Sequence, residues 1–420
     1  MALGVFKGTA ATGETVVVDA LKQHYKKERI KEMVYKNNPL LALMPKYESF
    51  GGENLSVPII VGGPQRRSAS FSDGQGQTST SNVKKFLLER VRDYSFASIT
   101  HEAIRASQGS ADAFVRYATM EIDGAIHALK RSIAVAMYRD GSGAIGQQKA
   151  GVDPGGAKLV TLANPEDIAN FEVGMKIVFA ESKTGALLSG VGTKEIDSVD
   201  RSAGTFTVKT NLDGTADAED FIFQLGDAHN NDSYKKLRGL EAWVPELSTT
   251  LTASATKDLF GVDRSSDVTR LGGNRYDGSA LPIEEALIEG LSLCARNGGT
   301  PSHVFMHYKN YAQLEKALGS KVQYDKVSSS DSSVGFTSMK VHGPAGTVDV
   351  IPDVNCQADV AWGLQLDTWS LNSLGAAPQI LDLDSNKLLR ESSADAYEVR
   401  CGAYMQVGCS APGWNVRIAL

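Results

Sequence analysis

The longest regular pattern of apolar and polar positions lies between Ser110 and Asp140. Phe114, Ala118, Ile122, Ile126, Leu129, Ile133 and Met137 recur every three or four residues, which places them on one face of an α-helix. Ser110 suits the N-cap, Asp112 suits the positive end of the dipole, and Gly141 suits the C-terminal stop. At 1.5 Å per residue such a helix is about 45 Å long, well beyond the mean globular helix. A rod of that length, apolar on one side, predicts a sheet laid along it.

Ahead of the rod, Leu55, Val57, Ile59 and Val61 alternate and predict a strand, placed at an edge by Pro58. Lys84 to Thr100, with Phe86, Leu88, Tyr94 and Phe96, predicts a second extended segment. The turn-rich residues 62–83 between them make the pair a long hairpin with a polar tip. A lone hairpin is barely stable in water, so this one folds back on its own domain or reaches another chain. Leu21 to Lys36 reads as a basic amphipathic helix ended at Asn38-Pro39, and as an arm lying on a neighbouring subunit.

After the rod comes a glycine-rich link, 141–157. Short strands follow at Leu159–Leu162, Lys176–Phe179, Lys194–Val199, Thr205–Val208 and Phe221–Leu225. Their spacing, punctuated by Pro165 and several glycines, predicts a small β-barrel or sandwich. Beyond a loop-rich stretch with a strand near Leu237–Val244, Leu281–Arg296 predicts a helix with Pro282 in its first turn. An α/β unit follows: strand His303–His307, helix Tyr311–Leu318, strands Met339–His342, Thr347–Ile351 and Asp359–Leu366. Tyr397–Val407 reads as a long strand that Trp414–Leu420 extends.

The 420 residues allow two or three domains with sizeable cores. The net charge of −6 argues against binding polyanions by bulk electrostatics. Charge is uneven, however. Residues 1–46 carry seven Lys and one Arg against four acids, a net +4, whereas 158–226 carry six cations against eleven acids, a net −5. That shift supports a boundary around the β-rich unit. Cys294, Cys356, Cys401 and Cys409 are too few for a disulfide framework and lack C-x-x-C spacing, so a reducing compartment is expected. No signal peptide or 18-residue apolar run is seen, which predicts a soluble protein folded in a cytoplasm.

The candidate chemistry is thin. Gly141-Ser142-Gly143-Ala144-Ile145-Gly146 matches G-x-G-x-x-G, but it follows a helix, whereas pyrophosphate binding needs a strand before it and a helix after it. His101-Glu102 lacks the second histidine of a zinc protease. His303 and His307 would face one way on a strand, with no third ligand. Asp213, Asp217, Glu219 and Asp220 offer oxygens that suit calcium, although a solvated turn explains them better. No constellation argues for catalysis, a metal or a cofactor.

The order of segments carries a resemblance: basic arm, Asn37-Asn38-Pro39-Leu40-Leu41, Gly51-Gly52, long hairpin, long helix, β insertion, α/β lobe and C-terminal strand. Two stretches add to it. One is Gly346-Thr347-Val348-Asp349-Val350-Ile351-Pro352-Asp353 with Val360 to Leu364 and Thr368 to Leu371. The other is Tyr397 to Arg400, Tyr404 to Gln406, Pro412 and Asn415. The whole resembles the major capsid proteins of tailed bacteriophages, with the Hong Kong 97-like fold. The resemblance implies an α+β fold divided into an N-terminal arm (1–46), an extended hairpin or E-loop (47–100) and a P-domain spine helix with its link (101–157). A β-rich insertion domain (158–226), a connecting segment (227–280), an axial A-domain (281–375) and a return to the P-domain (376–420) complete it.

It further implies a non-enzymatic shell protein that self-assembles into pentamers and hexamers of an icosahedral capsid around double-stranded DNA. Portal and scaffolding proteins are implied partners, DNA is met non-specifically on the inner face, some relatives carry a decoration protein, and no membrane is involved. The site is the virion, after assembly in the host cytoplasm. Chain segments before the arm that some relatives cleave are not expected. An encapsulin-like compartment shares the fold and is the alternative; a surface binding module, suggested by the β insertion, is a third class. Intersubunit contacts are expected at Arg66, Arg67 and Phe71 of the hairpin tip, at Lys84 and Lys85, and at Lys26, Lys27 and Arg29 of the arm.

Overall fold

The structure, a computed structural model, describes residues 38–102, 111–151, 156–212, 216–231, 233–319, 324–328, 335–344, 346–381, 389–391 and 394–420. The basic helix expected over 21–36 lies outside them. The described chain forms two units, one of Tyr94–Leu129 with Pro378–Gly402, the other of Asn37–Asp93, Lys130–Ala377 and Ala403–Leu420.

The elements run in this order. The first are α1 (Pro39–Leu43), β1 (Lys46–Tyr47), β2 (Asn54–Gly62), α2 (Phe71–Gly76), β3 (Asn82–Glu89), β4 (Val91–Thr100) and the long α3 (Ala111–Tyr138). Then come β5 (Ala144–Gln147), β6 (Leu159–Thr161), β7 (Lys176–Ala180), β8 (Lys194–Asp200), β9 (Thr205–Val208) and β10 (Phe221–Gln224). After α4 (Leu240–Trp243) follow β11 (Asp258–Leu259), β12 (Val262–Asp263), α5 (Val268–Gly272), β13 (Asn274–Asp277), α6 (Ile283–Arg296), β14 (His303–Met306) and α7 (Tyr308–Leu318). The rest are β15 (Tyr324–Ser328), β16 (Gly335–Gly343), β17 (Gly346–Pro352), β18 (Val360–Leu364), β19 (Trp369–Ser373), β20 (Gln379–Ile380), β21 (Leu389–Arg390), β22 (Ala396–Cys409) and β23 (Val416–Ala419).

The 28 residues of α3 make a rod about 42 Å long. Of the apolar stripe, Leu129, Ile133 and Met137 are buried. At its C-terminal end the buried Tyr138 hydroxyl donates to Asp353 Oδ2 at 2.8 Å. The Asp353 carboxylate also accepts from the Asn355 amide at 2.9 Å, so a full set of donors faces it.

The largest sheet has seven strands in the order β13-β23-β18-β14-β17-β16-β15. Leu287, Leu291 and Cys294 of α6 and Leu314 of α7 pack with Val304, Met306, Val350, Val416 and Ile418 of that sheet. The C-terminus differs from the reading of one long strand. β22 ends at Cys409, a single helical turn at Pro412–Trp414 redirects the chain, and β23 inserts between β13 and β18. Asn415 fixes the turn: its Oδ1 accepts from Trp369 Nε1 at 2.7 Å and from the Gln365 amide at 2.9 Å. Pro412, three residues past the end of β22, has no amide to offer a ladder and opens the turn instead. The second half of β22 pairs antiparallel with β19, and β19 runs parallel to β1.

The β insertion is a closed ring. Its strand order is β5-β10-β7-β8-β9-β6, and the Gln148–Leu162 bridge, with Lys149 donating to Thr161 O at 2.9 Å, joins the last strand back to the first. Phe171, Ile177, Phe179, Ile196, Phe206 and Ile222 fill it. The link expected over 141–157 is therefore corrected: Ala144–Gln147 is the first barrel strand, paired with β10. Gly146 sits in that strand because a Cβ there would lie 3.0 Å from the Phe171 ring. The strand expected near Leu237–Val244 is also corrected, to the short helix α4.

In the smaller unit, β20 and β21 pair with the first half of β22, and the His101 amide donates to Asp395 O at 2.9 Å.

Candidate functional site

The hairpin alternates strictly, as its sequence predicts. Ile59, Val61, Phe86 and Leu88 turn inward and are buried. Ile60 pairs across the ladder with Val83, and both turn outward, 74% and 57% exposed. The inner face lies on the chain's own body. The Phe86 ring meets Trp243 edge-on at 4.8 Å, and Trp243 meets Phe260 at 5.5 Å. The Leu87 amide donates to Phe260 O at 3.0 Å, and Gln406 Nε2 donates to Glu89 O at 3.0 Å. Arg270 Nη1 donates to Val61 O.

The second arm of the hairpin is shorter than the 84–100 reading. The ladder with β2 ends at Glu89, and β4 pairs with β22 instead. Arg90, between the two strands, donates to Phe50 O at 3.0 Å and lies over the Phe50 ring.

Residues 63–81 form the tip, and there the inward contacts stop. Its short helix α2 has no buried residue, and Ser70 Oγ caps it by accepting from the Asp73 amide. Arg66 Nε donates to Ser79 O across the tip at 3.1 Å, tying its two limbs together. Phe71 is 85% exposed. Arg66, Arg67 and Lys85 are also exposed.

Lys84 is placed otherwise. Its Nζ donates to Asp263 O at 2.8 Å and to Ser266 Oγ at 2.5 Å, so it fastens the stem to the body. The Asp263 carboxylate beside it accepts from Lys257 Nζ and from Ser265, which hold it well below the usual carboxylate range. The structure thus brings Arg66, Arg67 and Phe71 together at one tip and puts Lys84 in an internal bond. Lys26, Lys27 and Arg29 lie outside the described residues. Ile60 and Val83 were missed; the signal was their place on the polar side of an alternating strand.

The tip offers contact chemistry, with two guanidinium groups for carboxylates and an aromatic ring for an apolar pocket. Elsewhere, His307 is not on a strand with His303. It caps α7, its ring accepting from the Lys309 amide at 3.2 Å. Asp220 accepts from the Asp217 amide at 2.8 Å, and Asp213 is outside the described residues. Gly143 belongs to a tight turn, at φ +90°, where a Cβ would meet Asp227 O at 2.2 Å. The four cysteines are free and buried. Burial pushes the Cys294 and Cys409 thiols up to about 12, which leaves them poor nucleophiles. Among the described residues no three His, Cys, Asp or Glu gather as for a metal ion, and no helix is long and apolar enough to cross a membrane.

Residues 217–387 match the family model described as the SU10 major capsid protein. Among solved structures, the capsid asymmetric unit of cyanophage A-1(L) is similar over 96% of this chain and 98% of that one, with 10% identity and a TM-score of 0.55. Gordonia phage Cozz (11% identity, 100% and 98% covered, TM-score 0.43) and Mycobacterium phage Ogopogo (9%, 96% and 98%, 0.42) are also similar. No curated protein matches in sequence. The likeness shows the Hong Kong 97-like fold, and the family match to a major capsid protein covers 171 of the 420 residues.

Proposed function

We propose that the chain is the repeating subunit of an icosahedral shell around a double-stranded DNA genome, and that the hairpin tip is a contact between copies. The observation that carries the contact is the split within the hairpin. The stem is bonded inward along its length, whereas Phe71, Ile60 and Val83 are left exposed on its tip and outer face. Exposed apolar groups clustered on one element mark interaction surfaces. In this reading residues 47–100 correspond to the E-loop, α3 to the spine of the P-domain, and 281–375 to the axial A-domain. Pentamers and hexamers of the chain close the shell, DNA lines its inner face without sequence preference, and portal and scaffolding proteins act during assembly in the host cytoplasm. The basic arm, with Lys26, Lys27 and Arg29, lies on a neighbouring subunit, and Lys85 adds a charge beside the stem's outer face.

Sedimentation and negative-stain electron microscopy of the purified protein test this reading. Closed particles are expected; a particle-free monomer under all assembly conditions overturns it. Mass spectrometry of the shells then separates a DNA-packaging virion from a compartment filled with cargo enzyme.

A further inference from the structure

The barrel joins the body through a narrow neck. The chain leaves α3 through Arg139–Gly143 and returns through Gly226–His229, and the two passes are bonded by the His229 amide donating to Ser142 O at 3.1 Å. Among the described residues, Asp227 of the returning pass pairs with Lys236 of the body at 3.0 Å, and four further ion pairs cross from barrel to body around the neck. Arg131 meets Glu172 at 2.6 Å and Arg139 meets Asp167 at 2.6 Å. Lys183 meets Glu241 at 2.8 Å and Asp140 at 3.6 Å. Asp167, Glu172 and Lys183 are barrel residues; Arg131, Arg139 and Asp140 sit on or just after α3, and Glu241 is on α4.

The body-side charges of these pairs are mostly shielded, whereas Glu172 and Lys183 on the barrel remain partly exposed, at 46% and 36%. The Arg139 and Asp167 side chains are each 16% exposed, and that of Glu241 is 9%. Glu241 Oε2 also accepts from Gln357 Nε2 at 2.8 Å, which ties the cluster to the α/β lobe. The barrel's own apolar clusters, by contrast, draw on residues 144–228 alone. The barrel therefore carries its own core and meets the body at these crossings through charge. A buried charge that loses its partner is strongly unfavourable, so such a contact opens or holds as a unit.

We propose that these four pairs form an ionic latch, centred on Glu241, that fixes the barrel on the body, and that opening the latch frees the barrel to move on its neck as an intact body. Removing one barrel-side partner leaves the facing charge buried. Water reaches that charge most directly if the barrel lifts, since the barrel strands themselves have nothing to gain by unfolding.

Hydrogen–deuterium exchange of the full chain, read by mass spectrometry, tests it with Lys183→Met and, separately, Asp167→Asn. Each variant is expected to speed exchange in the neck (140–144 and 226–231) about tenfold, while the barrel strands at 177–180 and 205–208 keep their protection. Unchanged neck exchange in both variants overturns the latch. Loss of protection in the barrel strands together with the neck overturns the claim that the barrel moves intact. Lys209→Met removes an ion pair internal to the barrel, to Glu195. An equal rise at the neck in that variant would mean that the crossing pairs have no special role, and would also overturn the proposal.

Discussion

The hairpin and the barrel are both β-structures attached to the same body, but they are seated by opposite means. The hairpin has two strands and no interior of its own, so its apolar residues must be covered by something else. Phe86 and Leu88 are buried, against a body that presents Trp243 and Phe260. The barrel closes on itself and buries Phe171, Phe206 and Ile222 internally, so its seat can be made of charges. An element without a core takes an apolar seat; an element with one is free to take an ionic seat. Fragments, truncations, acid and charge reversal test that contrast in turn.

The sharpest test is all-or-none. A fragment of residues 158–226 lacks β5, and with it the strand that joins β10 to β6. It should give a collapsed, poorly dispersed NMR spectrum. A fragment of residues 141–229 contains the whole ring and should give dispersed shifts. If the shorter fragment folds equally well, closure of the ring contributes nothing.

That difference also shows what could be read from the chain. The five later barrel strands were legible because apolar residues alternate between Pro and Gly turns. β5 was not, since Ala144-Ile145-Gly146-Gln147 has the look of a linker. Its glycine is there for the Phe171 ring, a neighbour that only folding supplies. The hairpin's inner face was legible from Leu55 to Val61, but the seat beneath it was not. Trp243 and Phe260 are far away in sequence, and nothing local couples them to Phe86. The same holds for Lys84, whose partners Asp263 and Ser266 lie some 180 positions on. Charged residues in an exposed-looking strand read as surface, and only the fold reveals which are internal ties. Phe71 needed no such knowledge, because a lone aromatic in a Gly/Ser-rich tip has nothing nearby to cover it.

Phe86→Ala should have the next largest effect. It empties an apolar seat whose ring is fully buried, and such truncations typically cost about 3–5 kcal/mol. Denaturant unfolding followed by tryptophan fluorescence should show the lowered midpoint, with Trp243 reporting the change directly. A loss below about 1 kcal/mol would mean that the hairpin is held by its polar ties instead.

The ionic seat should be the one that acid undoes. Burial alone would raise the pKa of Glu241, but Lys183, Arg417 and Arg139 outweigh it and hold the carboxyl at about 2, against an ordinary 4.5. A folded-state pKa below the unfolded one gives stability that is present above about pH 4.5 and lost as pH falls towards 2. The difference corresponds to an upper bound of about 3 kcal/mol. Lys183 and Arg139, both held above their ordinary values by the carboxylates around them, stay charged throughout that range. An acid titration of the full chain, read as neck exchange, should therefore open below pH 4.5, and Glu241→Gln should start partly open and respond less. A neck that opens instead as pH rises from 5 to 8 would place the seat on other groups.

The smallest effect on the monomer should accompany a clear effect on the assembly. Arg66 and Arg67 sit on the tip, beyond the last inward contact of the stem, and among the described residues Arg66 bonds within the tip, to Ser79 O. Arg66→Glu with Arg67→Glu should therefore change monomer stability by no more than about 0.5 kcal/mol. If the tip meets carboxylates of a neighbouring copy, such as Glu121 and Asp123 on α3, each contact contributes only about 0–1 kcal/mol. A closed shell repeats it at every subunit, so a repulsion too small to unfold one chain is multiplied across the particle. Reversing both charges should reduce the yield of closed particles, most strongly at low salt, where screening is least. Raising the salt should restore part of the yield, because it weakens the introduced repulsion. Phe71→Ala gives the uncharged counterpart: its yield should fall at every salt concentration, since an apolar contact is not screened. Normal particle yield from the double reversal at low salt, with a folded monomer, would remove the tip from the interface and leave Ile60 and Val83 on the stem's outer face as the surface to test.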